Sequence, residues 1–100
     1  MSEPNYKISK KALNDLENIW LYTFNNWTEK QADRYYRLII EEINHLSCNF
    51  YSGKSQDHIK VGYRSSKVKS HLIFYKKGSD GILEVIRVLH QMMDIPNRMK

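Results

Sequence analysis

Three observations on this 100-residue chain predict an α+β fold. Two stretches between residues 10 and 46 carry apolar residues at helical spacing, each behind a capping signal. The second half turns to short β-branched and aromatic runs bounded by Gly, Ser, Asn and Asp. The composition is 41% hydrophobic and 12% aromatic, with four Gly and two Pro, which suits a single ordered domain over residues 1–100 rather than a tail or repeat. Helices followed by strands imply a short N-terminal strand and an antiparallel helical hairpin packed on one face of a small antiparallel sheet.

The elements follow in order. Tyr6-Lys7-Ile8 is a short extended piece, and Ser9 is placed to cap a helix. Behind it, apolar residues at 12, 13, 16, 19, 20, 24 and 27 mark one face of a helix over residues 10–25. Trp20 falls on that stripe and is expected in the core. Thr28-Glu29-Lys30-Gln31 has capping-box spacing, and Trp27 is placed to staple onto Ala32. Positions 32, 35, 36, 39, 40, 43 and 46 then carry a second helix, with Tyr36 expected in the core and Tyr22 and Tyr35 nearer the stripe's edge. The two or three residues between the helices require an antiparallel hairpin. Residues 47–57 read as a loop pinned by Phe50 and Tyr51. Strands are predicted over residues 59–64, 68–77 and 82–90, with a glycine turn at 78–81 joining the last two. Residues 91–100 read as a short docked extension.

Composition and charge exclude several classes. A domain of this size buries roughly two-thirds of its unfolded surface, enough for a core without staples. The single cysteine, Cys48, excludes an internal disulfide and reads as a small packed residue at a helix end. The opening Met-Ser-Glu-Pro reaches charge before any apolar run, and no stretch approaches the ~20 apolar residues that span a bilayer. The expectation is a cytoplasmic protein without a membrane partner, in which the Asn26-Trp27-Thr28 sequon is incidental. The net charge is +5, and it is unevenly placed. Residues 1–50 hold six basic and seven acidic side chains, while residues 51–100 hold ten and four. A basic second half suits nucleic acid or an acidic protein.

Motif chemistry is sparse. There is no phosphate-binding glycine loop, no paired cysteine and no metal-ligand spacing among His45, His58, His71 and His90, so neither a metal nor a cofactor is predicted. The residues of interest lie on the strands: Arg64, Lys67, Lys69, Tyr75, Arg87 and His90. Convergence on one face would supply cations beside an acid or base, as cleavage of RNA next to a 2′-hydroxyl needs. The same pattern describes the solvated side of a half-buried sheet.

A family resemblance rests on several spaced motifs. Arg87-Val88-Leu89-His90-Gln91-Met92-Met93-Asp94 resembles the RVLHxxMD ending of ParE-type toxins of the RelE/ParE superfamily. Gly62-Tyr63-Arg64-Ser65 resembles the family's GxR segment, and Ser70-His71-Leu72-Ile73-Phe74-Tyr75 its SHxIFY strand. Ile8-Ser9, Ala12, Asp15-Leu16 and Ile19-Trp20 resemble its opening pattern, and Trp27, Gln31-Ala32 and Tyr35 the start of its second helix. The likeness runs from about Tyr6 to Asp94. The chain departs from the pattern at Cys48-Asn49-Phe50, where Asn-Pro is common, at Lys60 for Arg, and at Val68-Lys69, where a glycine is usual.

The resemblance implies what spacing does not. ParE-type toxins act on DNA gyrase and stop replication, and a ParD-like antitoxin encoded beside the toxin neutralises it. It thus implies an inhibitory binding protein. The basic second half suits an acidic antitoxin segment, and partner contacts are expected at Arg64, Lys67, Lys69, Arg87, His90 and Met93. Direct nucleic-acid binding is not expected except through complexes. The alternative is a RelE-like mRNA endonuclease, ribosome-dependent or not, with Arg64, Tyr75, Arg87 and His90 as its catalytic set. Arg87 and His90 read as structural or partner-facing ahead of catalytic, because the chain lacks the RelE type of ending.

Overall fold

The structure is a computed structural model that describes residues 6–100, so the reading of the opening Met-Ser-Glu-Pro lies outside it. Strand β1 (Tyr6–Ile8) leads into helices α1 (Lys10–Asn26) and α2 (Glu29–Cys48). A 3₁₀ turn (Phe50–Ser52) then precedes strands β2 (Lys54–Ser55), β3 (Arg64–Val68), β4 (His71–Lys77) and β5 (Leu83–His90), and α3 (Ile95–Arg98) closes the chain. The sheet order is β1-β5-β4-β3-β2. It is mixed rather than wholly antiparallel, because β1 lies parallel to β5.

The helices start where their caps stand. The Ser9 hydroxyl accepts the Ala12 N–H at 3.1 Å, and the Thr28 hydroxyl accepts the Gln31 N–H at 3.1 Å. Each bond satisfies one of the amides that a helix N-terminus leaves unpaired. The buried faces meet as the spacing requires. Ala12 and Leu16 of α1 and Ile39, Ile43 and Leu46 of α2 pack on Ile73, Tyr75, Leu83, Val85 and Val88 of the sheet. Val85 and Val88 are three apart, yet both enter this core. A β-bulge allows it: the register slips between Phe74↔Arg87 and Tyr75↔Val85, leaving Ile86 unpaired with β4.

Several expectations are corrected. Residues 59–63 form turns, not a strand; the strand begins at Arg64, and β4 is separated from it by a two-residue turn at Lys69-Ser70. Gly62, at φ +90°, is the physical reason, since extended pairing does not pass through the left-handed region. Ser47 and Cys48 extend α2, and Cys48 is exposed rather than packed. Trp20 is only half-buried, its indole donating to Asp33, and Tyr36 is exposed. Trp27 is 60% exposed, whereas Ala32 is buried. Phe50 does pin its loop to the core, whereas Tyr51 is 75% exposed.

The junction of β1, α1 and β5 sets the layout. β1 ends at Ile8, opposite Val85, so the rest of β5 is an open edge on that side. Ser9 covers its first step, its N–H reaching the Val85 carbonyl and its hydroxyl the Ile86 carbonyl. Asp15 covers the next. One carboxylate oxygen accepts the Val88 N–H at 3.0 Å, and both oxygens take the Arg87 guanidinium at 2.7 and 2.9 Å. The two side chains are only 11% and 15% exposed.

Removing one member of a buried pair leaves the other charged and unpaired, at a cost of about 3–5 kcal/mol. Asp15→Ala is expected to lose about that much stability in urea denaturation, and an Asp15→Leu/Arg87→Met double variant to recover part of it. A loss below about 1 kcal/mol would place this pair with ordinary surface ion pairs.

Candidate functional site: a basic groove between the hairpin and the sheet

The central feature is a groove of about 920 Å³ between the helical hairpin and the ends of β4 and β5. α1 contributes Ile19, Tyr22 and Thr23, and α2 contributes Gln31, Arg34, Tyr35 and Leu38. The sheet contributes Lys69 to His71 and Arg87 to His90, and the C-terminal segment adds Met93 and Arg98. Its size falls within the range of about 300–1,000 Å³ usual for ligand sites.

Its electrostatics follow from which charges are paired. The lining holds four cations, Arg34, Lys69, Arg87 and Arg98, and one acid, Asp15. Asp15 is committed to Arg87, whose third nitrogen donates to the Arg98 carbonyl at 2.8 Å. The Asp15 carboxylate holds the Arg87 guanidinium above its usual range. Arg34, Lys69 and Arg98 make no ion pair among the described residues, so the groove is open to anions. Lys69 sits at φ +53°, a left-handed conformation that a lysine adopts only under strain. The turn thereby sets a cation on the groove's lining. Tyr22 and Trp27, 63% and 60% exposed with ring centroids 6.1 Å apart, also line it. Exposed aromatics beside unpaired cations are the composition of a protein-binding surface.

Two histidines face each other at the groove's inner end. His71 and His90 are cross-strand partners with ring centroids 5.2 Å apart. The Tyr35 hydroxyl lies 2.6 Å from His71 Nδ1 and donates to the Val68 carbonyl at 3.2 Å. Burial first, and then the neighbouring His90, pushes the His71 pKa down to about 4 against a weaker opposing pull from Asp15. Burial likewise raises the Tyr35 phenol. His71 is therefore neutral at physiological pH.

The six residues predicted to contact partners divide between two places. Lys69, Arg87, His90 and Met93 line the groove. Arg64 and Lys67 lie on β3, away from it. Arg64 donates through Nη2 to the carbonyls of Tyr51 and Gly53, and its guanidinium lies 5.2 Å over the Tyr51 ring. Tyr75 is fully buried beside it and donates to the Phe50 carbonyl at 2.7 Å. A Cβ at residue 53 would lie 2.1 Å from the Tyr75 hydroxyl oxygen, so only glycine fits this clamp. Arg64 and Tyr75 thus hold the loop after α2, and the structure does not bring them together with Arg87 and His90. Sequence reasoning missed Tyr35, His71, Arg34 and Arg98 as groove residues. Pairing β4 with β5 outward from the glycine turn would have set His71 near His90; no local signal marks Arg34.

Comparison with known proteins agrees with this architecture. The family model described as "ParE toxin of type II toxin-antitoxin system, parDE" matches residues 6–95. Toxin ParE1 of Mycobacterium tuberculosis strain H37Rv is 38% identical over 90 residues, covering 90% of this chain and 92% of that relative. Toxin ParE1 of Caulobacter vibrioides is 35% identical over 89 residues, covering 89% and 91%. A chain of the structure described as "Chromosomal ParDE TA system from P. aeruginosa" superposes with a TM-score of 0.73 at 18% identity, covering 85% of this chain and 92% of that one.

The lowered His71 pKa makes a signed prediction. Unfolded, the ring takes a proton near pH 6.5; folded, it does so only near 4. Its contribution to stability is complete above pH 6.5 and is lost as the pH falls towards 4. Denaturation midpoints of wild type and His71→Gln at pH 7.5, 6 and 5 should shift in the variant's favour as the solution is acidified. A pH-independent gap would contradict the assignment.

Proposed function

Because the chain belongs to the ParE toxin family of type II toxin–antitoxin systems, we propose that it inhibits DNA gyrase and is neutralised by a ParD-like antitoxin bound in the basic groove. In this reading the toxin works in the cytoplasm as an inhibitory binding protein. Among the described residues no helix is long and apolar enough to cross a membrane.

The groove is the observation that carries the antitoxin half of the proposal. Its lining combines three unpaired cations with exposed Tyr22 and Trp27 and with apolar Ile19, Leu38 and Val88. An amphipathic segment with an acidic side and an apolar face matches that surface, the apolar face supplying affinity and the acids steering association. The ParDE structure superposed above is that of a toxin–antitoxin system, which supports the same partner. The gyrase half rests on family membership.

A supercoiling assay tests the target. Purified toxin at stoichiometric excess should inhibit gyrase or accumulate cleaved DNA, and antitoxin should reverse the effect; unimpaired gyrase would sink the proposal.

Titration calorimetry with the antitoxin tests the groove. Affinity should fall as salt rises, and Arg34→Glu combined with Lys69→Glu should weaken binding by about tenfold or more, chiefly through slower association. Salt-independent affinity would remove the electrostatic part.

A further inference from the structure

The turn after α2 carries a side chain that neither the core nor the groove uses. Tyr51 is 75% exposed, yet the backbone that presents it is fixed from the sheet at three carbonyls. Tyr75 donates to that of Phe50, and Arg64 Nη2 donates to those of Tyr51 and Gly53. The ring is held as well. It stands edge-on to Phe50 with centroids 5.1 Å apart, and Phe50 stands edge-on to buried Tyr75 at 5.3 Å. Two cations lie over the same ring, the Arg64 guanidinium 5.2 Å and the Lys77 ammonium 5.9 Å from its centroid. A surface tyrosine ordinarily loses rotamer freedom when a partner binds; these contacts remove much of that freedom beforehand.

The fold leaves the neighbouring charge unspent. Arg64 and Lys77 make no ion pair among the described residues. Arg64 Nη1 makes no hydrogen bond and is not among the buried unpaired atoms, so it reaches solvent. A rigid exposed tyrosine beside an arginine and a lysine has the make-up of a binding hot spot. It is separate from the groove. His71, in the groove, and Lys77 stand at opposite ends of seven-residue β4, ~20 Å apart along the strand. The shapes differ too. A groove accepts a segment, whereas an exposed ring needs a pocket to enter, and such a pocket belongs to a folded partner. We propose that Tyr51 is the anchor through which the protein grips its target, its ring entering an apolar pocket of the gyrase while Arg64 Nη1 and Lys77 pair with carboxylates at the pocket's rim. The anchor rests on the gyrase reading above and gives it a contact surface. A cationic rim would meet Arg64 and Lys77 with like charge, so the complementary pocket is acidic at its edge.

Supercoiling assays with purified gyrase, run beside calorimetry with the antitoxin, decide it. Tyr51→Ala and Lys77→Glu should each raise the toxin concentration for half-inhibition by about tenfold or more. Tyr51→Phe, which keeps the ring, should stay within about threefold of wild type. Antitoxin affinity should stay within about threefold for all three variants, because ~20 Å exceeds the screening length at physiological salt; the same result shows that they fold. Inhibition by Tyr51→Ala at the wild-type concentration overturns the anchor, and unchanged inhibition by Lys77→Glu overturns its acidic rim. A tenfold loss of antitoxin affinity in Tyr51→Ala overturns the assignment to gyrase, because the ring then serves the antitoxin. Wild-type toxin that binds antitoxin but leaves gyrase unimpaired overturns the gyrase reading itself, and the anchor falls with it.

Discussion

The architecture depends on one carboxylate. Asp15 stands in the second turn of α1 and binds both the Val88 amide and the Arg87 guanidinium of β5. β1 is too short to cover β5, and an uncovered edge is a row of unsatisfied backbone groups. The helix that follows β1 completes that edge with side chains, Ser9 at the bulge and Asp15 beyond it. The bulge at Ile86 is part of the same arrangement, because it returns Val88 to the core face while Arg87 meets Asp15. The C-terminal segment is tied in through Arg87 as well, at the Arg98 carbonyl. A helix, a strand and the tail are thereby fixed through one guanidinium, and the groove is bounded by those three elements and α2.

That commitment changes the meaning of the charge. A chain with +5 net charge looks like a nucleic-acid binder until its cations are sorted by partner. Arg87 has all three nitrogens engaged. Lys7 pairs with Asp80 at the surface, where such a pair contributes little. The groove keeps Arg34, Lys69 and Arg98, and one of these is held in a strained backbone conformation.

The helices were legible because their signals are local. Caps at Ser9 and Thr28 and a 3.6-residue period place both within two residues of their observed ends. The first strand was misplaced for a physical reason. Ile59 to Arg64 has strand-like composition, but its glycine turns the chain; the real strand, Arg-Ser-Ser-Lys-Val, is polar. It tolerates that composition because Ser65 bonds Gln56 and Ser66 bonds Glu42 of α2. The bulge was latent in the spacing of Leu83, Val85, Val88 and His90, whose step of two becomes three at Ile86. Trp20, Tyr36 and Trp27 misled because an aromatic on an apolar stripe reads as core whether the fold covers it or leaves it open. The groove was half legible. Its motif residues Arg87 and His90 were visible, whereas Tyr35 and Arg34 come from a helix whose approach to the sheet no local pattern records.

The same sorting bears on RNA cleavage, the alternative activity that the superfamily resemblance raised. Cleavage beside a 2′-hydroxyl needs cations free to meet a developing charge, and an acid and a base within reach of the same phosphate. Arg64 has Nη2 committed to two loop carbonyls, and Tyr75 is buried against Phe50. Arg87 is neutralised by Asp15, and His90 lies in the groove, apart from Arg64 and Tyr75. Arg64, Tyr75 and Arg87 each have a structural duty, and the set does not converge. The charge left free, on Arg34, Lys69 and Arg98, lines the groove, apart from Arg64 and Tyr75, and steers an acidic partner towards it. A sheet whose arginines are used to hold its own loops and edge favours recognition over RNA cleavage, and this distribution of donors supports the inhibitor reading of the fold.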